Sequence, residues 1–254
     1  MKAVLGGQSV AQPLGPTPAP PVFDGRAMDV RLGTAGQVLA LRQVDLRIAP
    51  GERVALVGAN GSGKSTLLRT LHGLLPLSAG ALQACPPAQQ AMLFQRPFVL
   101  RLSALWNVRL ALCLRGTPWR ATRAPALAAL ERVGLAALAG RNARALSGGQ
   151  QQRLALARAW AQRPAVWLLD EPTASLDPHA KQEVEGLIAE FATAPGATLV
   201  FSSHHLGQVK RLATRVVYLE GGCLRADLPA HDFFNETVLA QVCPTALAFC
   251  KGDL

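Results

Sequence analysis

The stretch Gly58-Ala-Asn-Gly-Ser-Gly-Lys-Ser65 decides the fold, because it matches the pattern GxxxxGK[ST]. A short apolar run, residues 53–57 (RVALV), precedes it and is typical of a buried strand. Residues 63–75 carry leucines at helical spacing and are predicted to form a helix that Pro76 ends. A strand, a glycine-rich loop and a helix in this order predict a loop whose backbone N–H groups surround phosphate oxygens.

Each polar side chain of this loop has an expected role in holding a nucleoside triphosphate. Lys64 is expected to reach the β- and γ-phosphates, and the Ser65 hydroxyl to ligate Mg²⁺. Thr66 is expected to assist at the α-phosphate. The loop residues predicted to bind the nucleotide are Gly58, Asn60, Gly61, Ser62, Gly63, Lys64, Ser65 and Thr66.

Two adjacent acids follow a second apolar run, residues 166–169 (VWLL). Asp170, at the end of a predicted buried strand, is placed to hold Mg²⁺. Glu171 points elsewhere and is placed to act as the general base that polarises the attacking water. Paired acids also end ordinary strands, so this interpretation depends on the phosphate loop beside them.

The alternation of strands and helices predicts an α/β fold with a mostly parallel sheet covered on both faces. Residues 28–32 and 39–48 alternate in polarity and predict an antiparallel pair at one edge. Residues 96–144 are helical in pattern and predict an inserted α-helical subdomain, with Pro118 and Pro125 breaking it. The predicted architecture is therefore a P-loop NTPase core (RecA-like) with an antiparallel β edge and a helical insertion.

The charge of the chain raises two classes of partner. The net charge is +10, and twelve arginines with a single acid, Glu131, lie between Gln95 and Asp170. This excess suits nucleic acid or an anionic membrane surface, but it does not interleave with an aromatic platform of the kind that a strand-binding groove needs. A solvated face and an electrostatic role near a membrane both remain open. No run approaches the roughly 20 apolar residues of a membrane-spanning helix, so a cytosolic protein is expected.

A second glycine-rich segment, Leu146-Ser-Gly-Gly-Gln-Gln-Gln-Arg153, resembles the LSGGQ signature of ABC (ATP-binding cassette) ATPases. It predicts a second helix N-terminus facing phosphate, with hydroxyl and amide donors and a positive helix dipole. The signature residues expected to bind the nucleotide are Ser147, Gly148, Gly149 and Gln150.

Further elements resembling this family occur in order over residues 28–225. Gln95 resembles the Q-loop glutamine, which contacts Mg²⁺ or water, and Asp177 resembles the D-loop aspartate at the dimer interface. His204 resembles the switch histidine near the γ-phosphate, and His205 stands where the family often has aspartate. The chain departs from the family in one respect, since residues 24–57 contain no aromatic side chain to stack on adenine. Leu32 or Val38 is the expected substitute.

The resemblance implies an ATP-hydrolysing subunit that uses ATP and Mg²⁺, with Glu171 and His204 as catalytic residues and Ser65, Gln95 and Asp170 at the metal. It implies a head-to-tail homodimer on separate integral membrane permease subunits, served indirectly by a periplasmic binding protein. The expected location is the cytoplasmic face of the bacterial inner membrane, and no nucleic-acid partner is expected. The expected domains are a flexible proline-rich tail (1–25), an ABC ATPase domain (26–225, helical subdomain about 96–164) and a short C-terminal tail (226–254).

The transported solute is expected to be an oxyanion, with tungstate or molybdate favoured and phosphate or another small solute as the alternative. A DNA-repair ATPase is less favoured, because the insertion is too short for a coiled coil. A translation-type cassette protein is less favoured because the chain has one P-loop.

Overall fold

A computed structural model describes residues 20–33 and 36–252 of the 254-residue chain. Most of the tail expected over residues 1–25 lies outside the described residues, and the first strand already begins at Phe23. The strands are β1 (Phe23–Leu32), β2 (Val38–Ile48), β3 (Arg53–Val57), β4 (Ala79–Ala84), β5 (Gln90–Leu93), β6 (Val166–Asp170), β7 (Thr198–Ser202), β8 (Arg215–Glu220) and β9 (Cys223–Pro229). The α-helices are α1 (Lys64–Leu71), α2 (Ala104–Leu114), α3 (Arg123–Arg132), α4 (Gly148–Ala161), α5 (Pro178–Ala192), α6 (Leu206–Leu212), α7 (Ala230–Phe233), α8 (Glu236–Val242) and α9 (Pro244–Lys251).

The central sheet has six strands in the order β5-β6-β7-β3-β8-β9. The first five are parallel, and β9 returns antiparallel to β8. All five residues of β6 and of β7 are buried, because helices cover both faces of a parallel sheet. The predicted α/β fold with a P-loop core is confirmed.

A three-stranded antiparallel sheet, β2-β1-β4, forms the predicted edge. β1 begins five residues earlier than the alternating pattern predicts, because Phe23 is fully buried and pairs with Ile48. β4 was not predicted: its residues are mostly exposed, so the sequence carries no apolar period there.

Helix α1 is shorter than the leucine pattern predicts. It ends at Leu71, and Gly73 follows in a left-handed conformation (φ +83°). The Leu74 amide then bonds back to the Arg69 carbonyl at 2.8 Å, the geometry in which a glycine closes a helix. Leu74 is consequently 51% exposed and does not belong to the buried face of the helix.

Helices α2, α3 and α4 lie between β5 and β6 in the chain, and Pro125 stands in the first turn of α3, where proline is tolerated. Two arginines bond this block to backbone carbonyls in and around β5. Arg115 donates to the carbonyls of Ala88 and Gln90, and Arg158 donates to that of Phe98 at 2.5 Å. Part of the arginine excess therefore binds neutral backbone groups and is not available to a charged partner.

The structure corrects the expectation of a short C-terminal tail over residues 226–254. The expected boundary falls inside β9, and α7, α8 and α9 follow it. Phe233, Leu239 and Ala246 pack fully buried into the main hydrophobic core. The sequence carries no clear signal for these helices, because they are only four to eight residues long and a helical apolar period does not show over that length.

The burial of the C-terminal block makes it a structural part of the domain. We predict that Phe233→Ala, at a fully buried ring, lowers the free energy of unfolding by about 3–5 kcal/mol. Val242→Ala, at a site 51% exposed in the same block, should change it by less than about 0.5 kcal/mol. Urea denaturation followed by circular dichroism measures both, and equal midpoints for the two variants would contradict the assignment.

Candidate functional site

The loop between β3 and α1 can be built only with glycine at its two ends. Gly58 has φ +142°, and a Cβ there would lie 2.1 Å from the Leu219 carbonyl oxygen. Gly63 has φ +107°, and its Cβ would lie 2.9 Å from the Ala40 oxygen. Both conformations are strained for other residues, so the glycines of the motif fix the path of the loop.

Lys64 lies across this loop at the first position of α1. Its ammonium group donates to the Gly58 carbonyl at 2.7 Å and to the Ala59 carbonyl at 2.9 Å. Burial lowers the pKa of Lys64, while the nearby carboxylates of Glu171 and Asp170 act in the opposite direction. The first turn of α1 contains no acidic residue, so its N-terminus keeps a positive potential.

The loop forms one wall of a groove of about 520 Å³. Its lining contains seven of the eight predicted loop residues, all but Gly58, together with Gln95 and Glu171, which the fold brings to the same place. The full lining is Leu32, Val38, Leu39, Ala40, Arg42, Asn60, Gly61, Ser62, Gly63, Lys64, Ser65, Thr66, Gln95, Glu171, Gly221 and Gly222. Leu32 and Val38, the expected substitutes for an aromatic ring, both line it. Arg42 was not predicted, since a lone arginine on an edge strand carries no sequence signal.

Asp170 is a buried carboxylate at the end of β6 that accepts two hydroxyl hydrogen bonds. Ser65 Oγ and Ser202 Oγ each donate to its Oδ1 atom at 2.8 Å. Ser65 stands on α1 and Ser202 at the end of β7, so three segments of chain meet at one oxygen. A hydroxyl and a carboxylate beside the phosphate loop are the hard oxygen donors that Mg²⁺ prefers, and this pair fits such an ion.

Glu171 adopts a strained left-handed backbone conformation (φ +44°) directly after Asp170. Its amide donates to Ser202 Oγ at 2.9 Å, and its Oε2 atom lies 3.2 Å from Nδ1 of His204. Among the two adjacent histidines, His204 is thus the one that meets Glu171. The rings of His204 and His205 lie 4.1 Å apart, and burial, followed by the charges of His204 and Lys181, lowers the pKa of His205.

The signature residues lie elsewhere on the surface. Ser147 caps α4 in a capping box with Gln150, with reciprocal bonds of 3.3 and 3.0 Å. A Cβ on Gly149 would lie 2.7 Å from the Ala180 Cβ on α5, whereas one on Gly148 would meet only Leu176, at 3.9 Å. Asp177 caps α5. Within the described part of the chain, the groove lining includes none of these residues.

The comparisons with known proteins identify the family. A sequence profile described as ABC transporter matches residues 41–174. The chain belongs to the ABC transporter family. As an ATP-binding cassette subunit it is an ATPase. Across residues 20–33 and 36–252, no helix has the length and hydropathy to cross a membrane.

Three curated relatives illustrate the similarity of this ABC ATPase to known subunits. The phosphonates import ATP-binding protein PhnC of Frankia casuarinae is 41% identical, over 82% of this chain and 91% of its own. The nickel import ATP-binding protein NikO of Rhodobacter capsulatus is 42% identical (80% and 89% covered). The aliphatic sulfonates import ATP-binding protein SsuB 1 of Pseudomonas fluorescens is 42% identical (77% and 73% covered).

A solved structure shares both the fold and part of the sequence. It is a dimeric ATP-binding cassette in a post-hydrolysis state, bound to ADP and Pi, with a TM-score of 0.75 and 27% identity. The match covers 82% of this chain and 98% of that one.

The placement of Lys64 predicts which side chain controls nucleotide binding. Lys64→Ala removes the ammonium group buried in the loop, so we expect ATP affinity, measured by calorimetry, to fall at least about 10²-fold, equivalent to roughly 2.7 kcal/mol. Lys251→Ala, on α9 outside the groove lining, is the matched control and should bind ATP normally. Unchanged affinity in Lys64→Ala, with circular dichroism showing an intact fold, would place the phosphates elsewhere.

Proposed function

We propose that this ABC ATPase hydrolyses Mg²⁺-bound ATP to energise import of a small solute through separate permease subunits. The observation that carries the proposal is the approach of Glu171 and His204 to 3.2 Å beside the phosphate loop. The three relatives described above are all named as import ATP-binding proteins, which supports import. A subunit of this kind acts as a peripheral protein on the cytoplasmic face of the bacterial inner membrane. A periplasmic binding protein delivers the solute to the permease from the opposite face.

The residues of the groove divide the chemistry among them. The loop amides and Lys64 hold the β- and γ-phosphates, with Thr66 at the α-phosphate. Ser65, Asp170 and Gln95 would hold Mg²⁺, which when bound would neutralise charge on the phosphate oxygens. Glu171 accepts the proton of the attacking water, and His204 orients Glu171 and the γ-phosphate. Ser202 holds both the Glu171 amide and the Asp170 carboxylate, which fixes the base relative to the metal ligand.

Two copies of the chain complete each site in this proposal. Ser147 and Gly148 lie exposed at the N-terminus of α4, and this terminus, with Gly149 and Gln150, is outside the lining of the groove proposed to hold the phosphates. Among the described residues, a Cβ on Gly148 would meet only Leu176, at 3.9 Å, so the exposed backbone at this position suits a ligand held by a second subunit. A head-to-tail homodimer brings this helix to the partner's γ-phosphate, with Asp177 at the interface. The dimeric solved structure supports this arrangement.

The transported solute is proposed as a small oxyanion. Phosphonates and aliphatic sulfonates, named for two of the relatives, carry tetrahedral anionic groups of the same class as molybdate and tungstate. The favoured expectation of tungstate or molybdate receives no support from the relatives' names, and another relative is named for nickel. No nucleic-acid partner is proposed, because the helices of the described insertion have at most 14 residues, too few for the coiled coil of a DNA-repair ATPase.

The complete transporter tests the solute. We expect the ATPase, reconstituted in liposomes with its permease and binding protein, to hydrolyse ATP several-fold faster when the binding protein holds an oxyanion. A panel of a phosphonate, an alkyl sulfonate, molybdate, tungstate and Ni²⁺ identifies the class. Stimulation by Ni²⁺ alone would overturn the oxyanion proposal and leave the importer function intact.

A second prediction separates catalysis from ATP binding. Glu171→Gln keeps the size of the side chain but cannot accept a proton, so the hydrolysis rate should fall by roughly 10²- to 10⁴-fold. ATP binding should persist, and the ATP-bound dimer should accumulate as a doubled mass in gel filtration. Glu131→Gln, at an exposed acid on α3, is the matched control and should hydrolyse ATP at the parental rate.

The signature provides the complementary test of geometry. Ser147→Arg added to Glu171→Gln should abolish the ATP-dependent dimer, because it obstructs the helix N-terminus that closes on the partner's nucleotide. A Glu171→Gln protein with undiminished turnover removes Glu171 from the mechanism. A double variant that still dimerises with ATP contradicts the head-to-tail arrangement.

A further inference from the structure

A buried chain of hydrogen bonds lies behind the catalytic loops and centres on Gln208 in α6. Ser203 Oγ donates to Gln208 Oε1 at 2.7 Å, and Gln208 Nε2 donates to Thr173 Oγ1 at 3.0 Å. The exposed fractions of Ser203, Thr173 and Gln208 are 2%, 2% and 1%. Solvent therefore cannot substitute for any member of this chain.

The two ends of this hydrogen-bond network, Thr173 and Ser203, belong to the two loops that carry Glu171 and His204. Thr173 is two residues beyond Glu171, in the turn that follows β6. Ser203 immediately precedes His204, and its Oγ also accepts the amide of His205 at 3.0 Å. The side-chain amide of Gln208 thus connects the backbone segment of the base to that of the histidine.

Gln208 and Ser202 secure different parts of this region. Ser202 bonds to Asp170 and to the Glu171 amide, which fixes where the base leaves the sheet. The His204 side chain is 43% exposed, so packing does little to hold it and its backbone has to set its position. Ser203 Oγ makes the two hydrogen bonds that fix this backbone. It donates to Gln208 Oε1, and it accepts from the backbone amide of His205.

We propose that Gln208 is a positioning residue for ATP hydrolysis, which holds His204 at hydrogen-bond distance from Glu171 by bridging Ser203 and Thr173. This inference rests on the proposed roles of Glu171 and His204. An amide side chain suits the bridge because it accepts at one end and donates at the other. A displacement of about 1 Å at a reacting group can cost roughly 10²-fold in rate, so a remote bridge can control turnover.

The first test replaces the amide without changing its size. Gln208→Met should lower kcat for ATP hydrolysis by about 10- to 10²-fold in the assembled transporter, with KM and calorimetric affinity for ATP unchanged. The matched control is Gln90→Met. Gln90 is also 1% exposed and bonds through its side chain to His72 and the Cys85 carbonyl, but contacts neither catalytic loop. A similar kcat loss in both variants would show that burial of an amide, and not this bridge, is what matters.

Thr173 tests the bridge from its other end and serves if Gln208→Met fails to fold. Thr173→Val keeps the shape but removes the acceptor for Gln208 Nε2, and should reproduce the kcat loss. Thr173→Ser keeps the hydroxyl and should retain most of kcat. Equal activity of the valine and serine variants overturns the proposal.

The His204→Ala variant separates the proposed positioning role of Gln208 from the proposed catalytic role of His204. With His204 absent, Gln208→Met should cause no further loss of kcat, because the group that it positions is gone. If His204→Ala alone leaves kcat unchanged, the proposed role of His204 is wrong. If His204→Ala lowers kcat but Gln208→Met lowers it by the same factor in both backgrounds, Gln208 acts independently of His204 and the inference fails.

Discussion

The structure of the site depends on keeping the carboxylate of Asp170 buried and satisfied. A buried charge without partners is strongly unfavourable, so the Oδ1 atom of this carboxylate needs donors at the edge of the sheet. Ser65 and Ser202 supply them from α1 and β7, 105 and 32 residues away in the chain. In the sheet β7 lies between β6 and β3, so the carboxyl ends of these parallel strands bring the three segments to the same edge. The hydrogen bonds to this carboxylate thus connect the central strands of the sheet to the phosphate loop.

The same cluster also supports the strain at Glu171. A left-handed conformation at a residue other than glycine costs roughly 1–3 kcal/mol and persists only where the surroundings enforce it. Here the Glu171 amide donates to Ser202 Oγ, which itself donates to Asp170, so the hydroxyl that satisfies the carboxylate also holds the strained residue. In this conformation Glu171 meets His204, whereas Asp170 meets Ser65 and Ser202. Two adjacent acids can therefore serve different functions.

Sequence reasoning succeeded where one local signal was sufficient. β3 spans the five predicted residues, because an apolar run bounded by Gly58 is unambiguous. It failed where structure depends on distant contacts: β4 has no apolar period of its own, and α7 to α9 are stabilised by burial of residues such as Phe233. The motif residues around the groove were found because their spacing is fixed by phosphate chemistry. Ser202, Gln208 and Arg42 were not, since single polar residues acquire meaning only from neighbours that the fold supplies.

Among the residues that the structure describes, the groove lining includes no aromatic ring, which changes how the proposed nucleotide is held. Leu32 and Val38 offer aliphatic contact, and Val38 is 59% exposed, so little of the base is removed from water there. Such contacts do not distinguish one purine from another, because discrimination of that kind needs hydrogen bonds that a wrong ligand leaves unpaired. Binding energy therefore has to come mainly from the phosphates, through the amides of the loop, Lys64 and the N-terminus of α1. These are also the contacts that change when the γ-phosphate leaves. A groove with a weak hold on the base thus makes a large share of the binding energy sensitive to hydrolysis, which is the property that a subunit cycling between closed and open pairs requires.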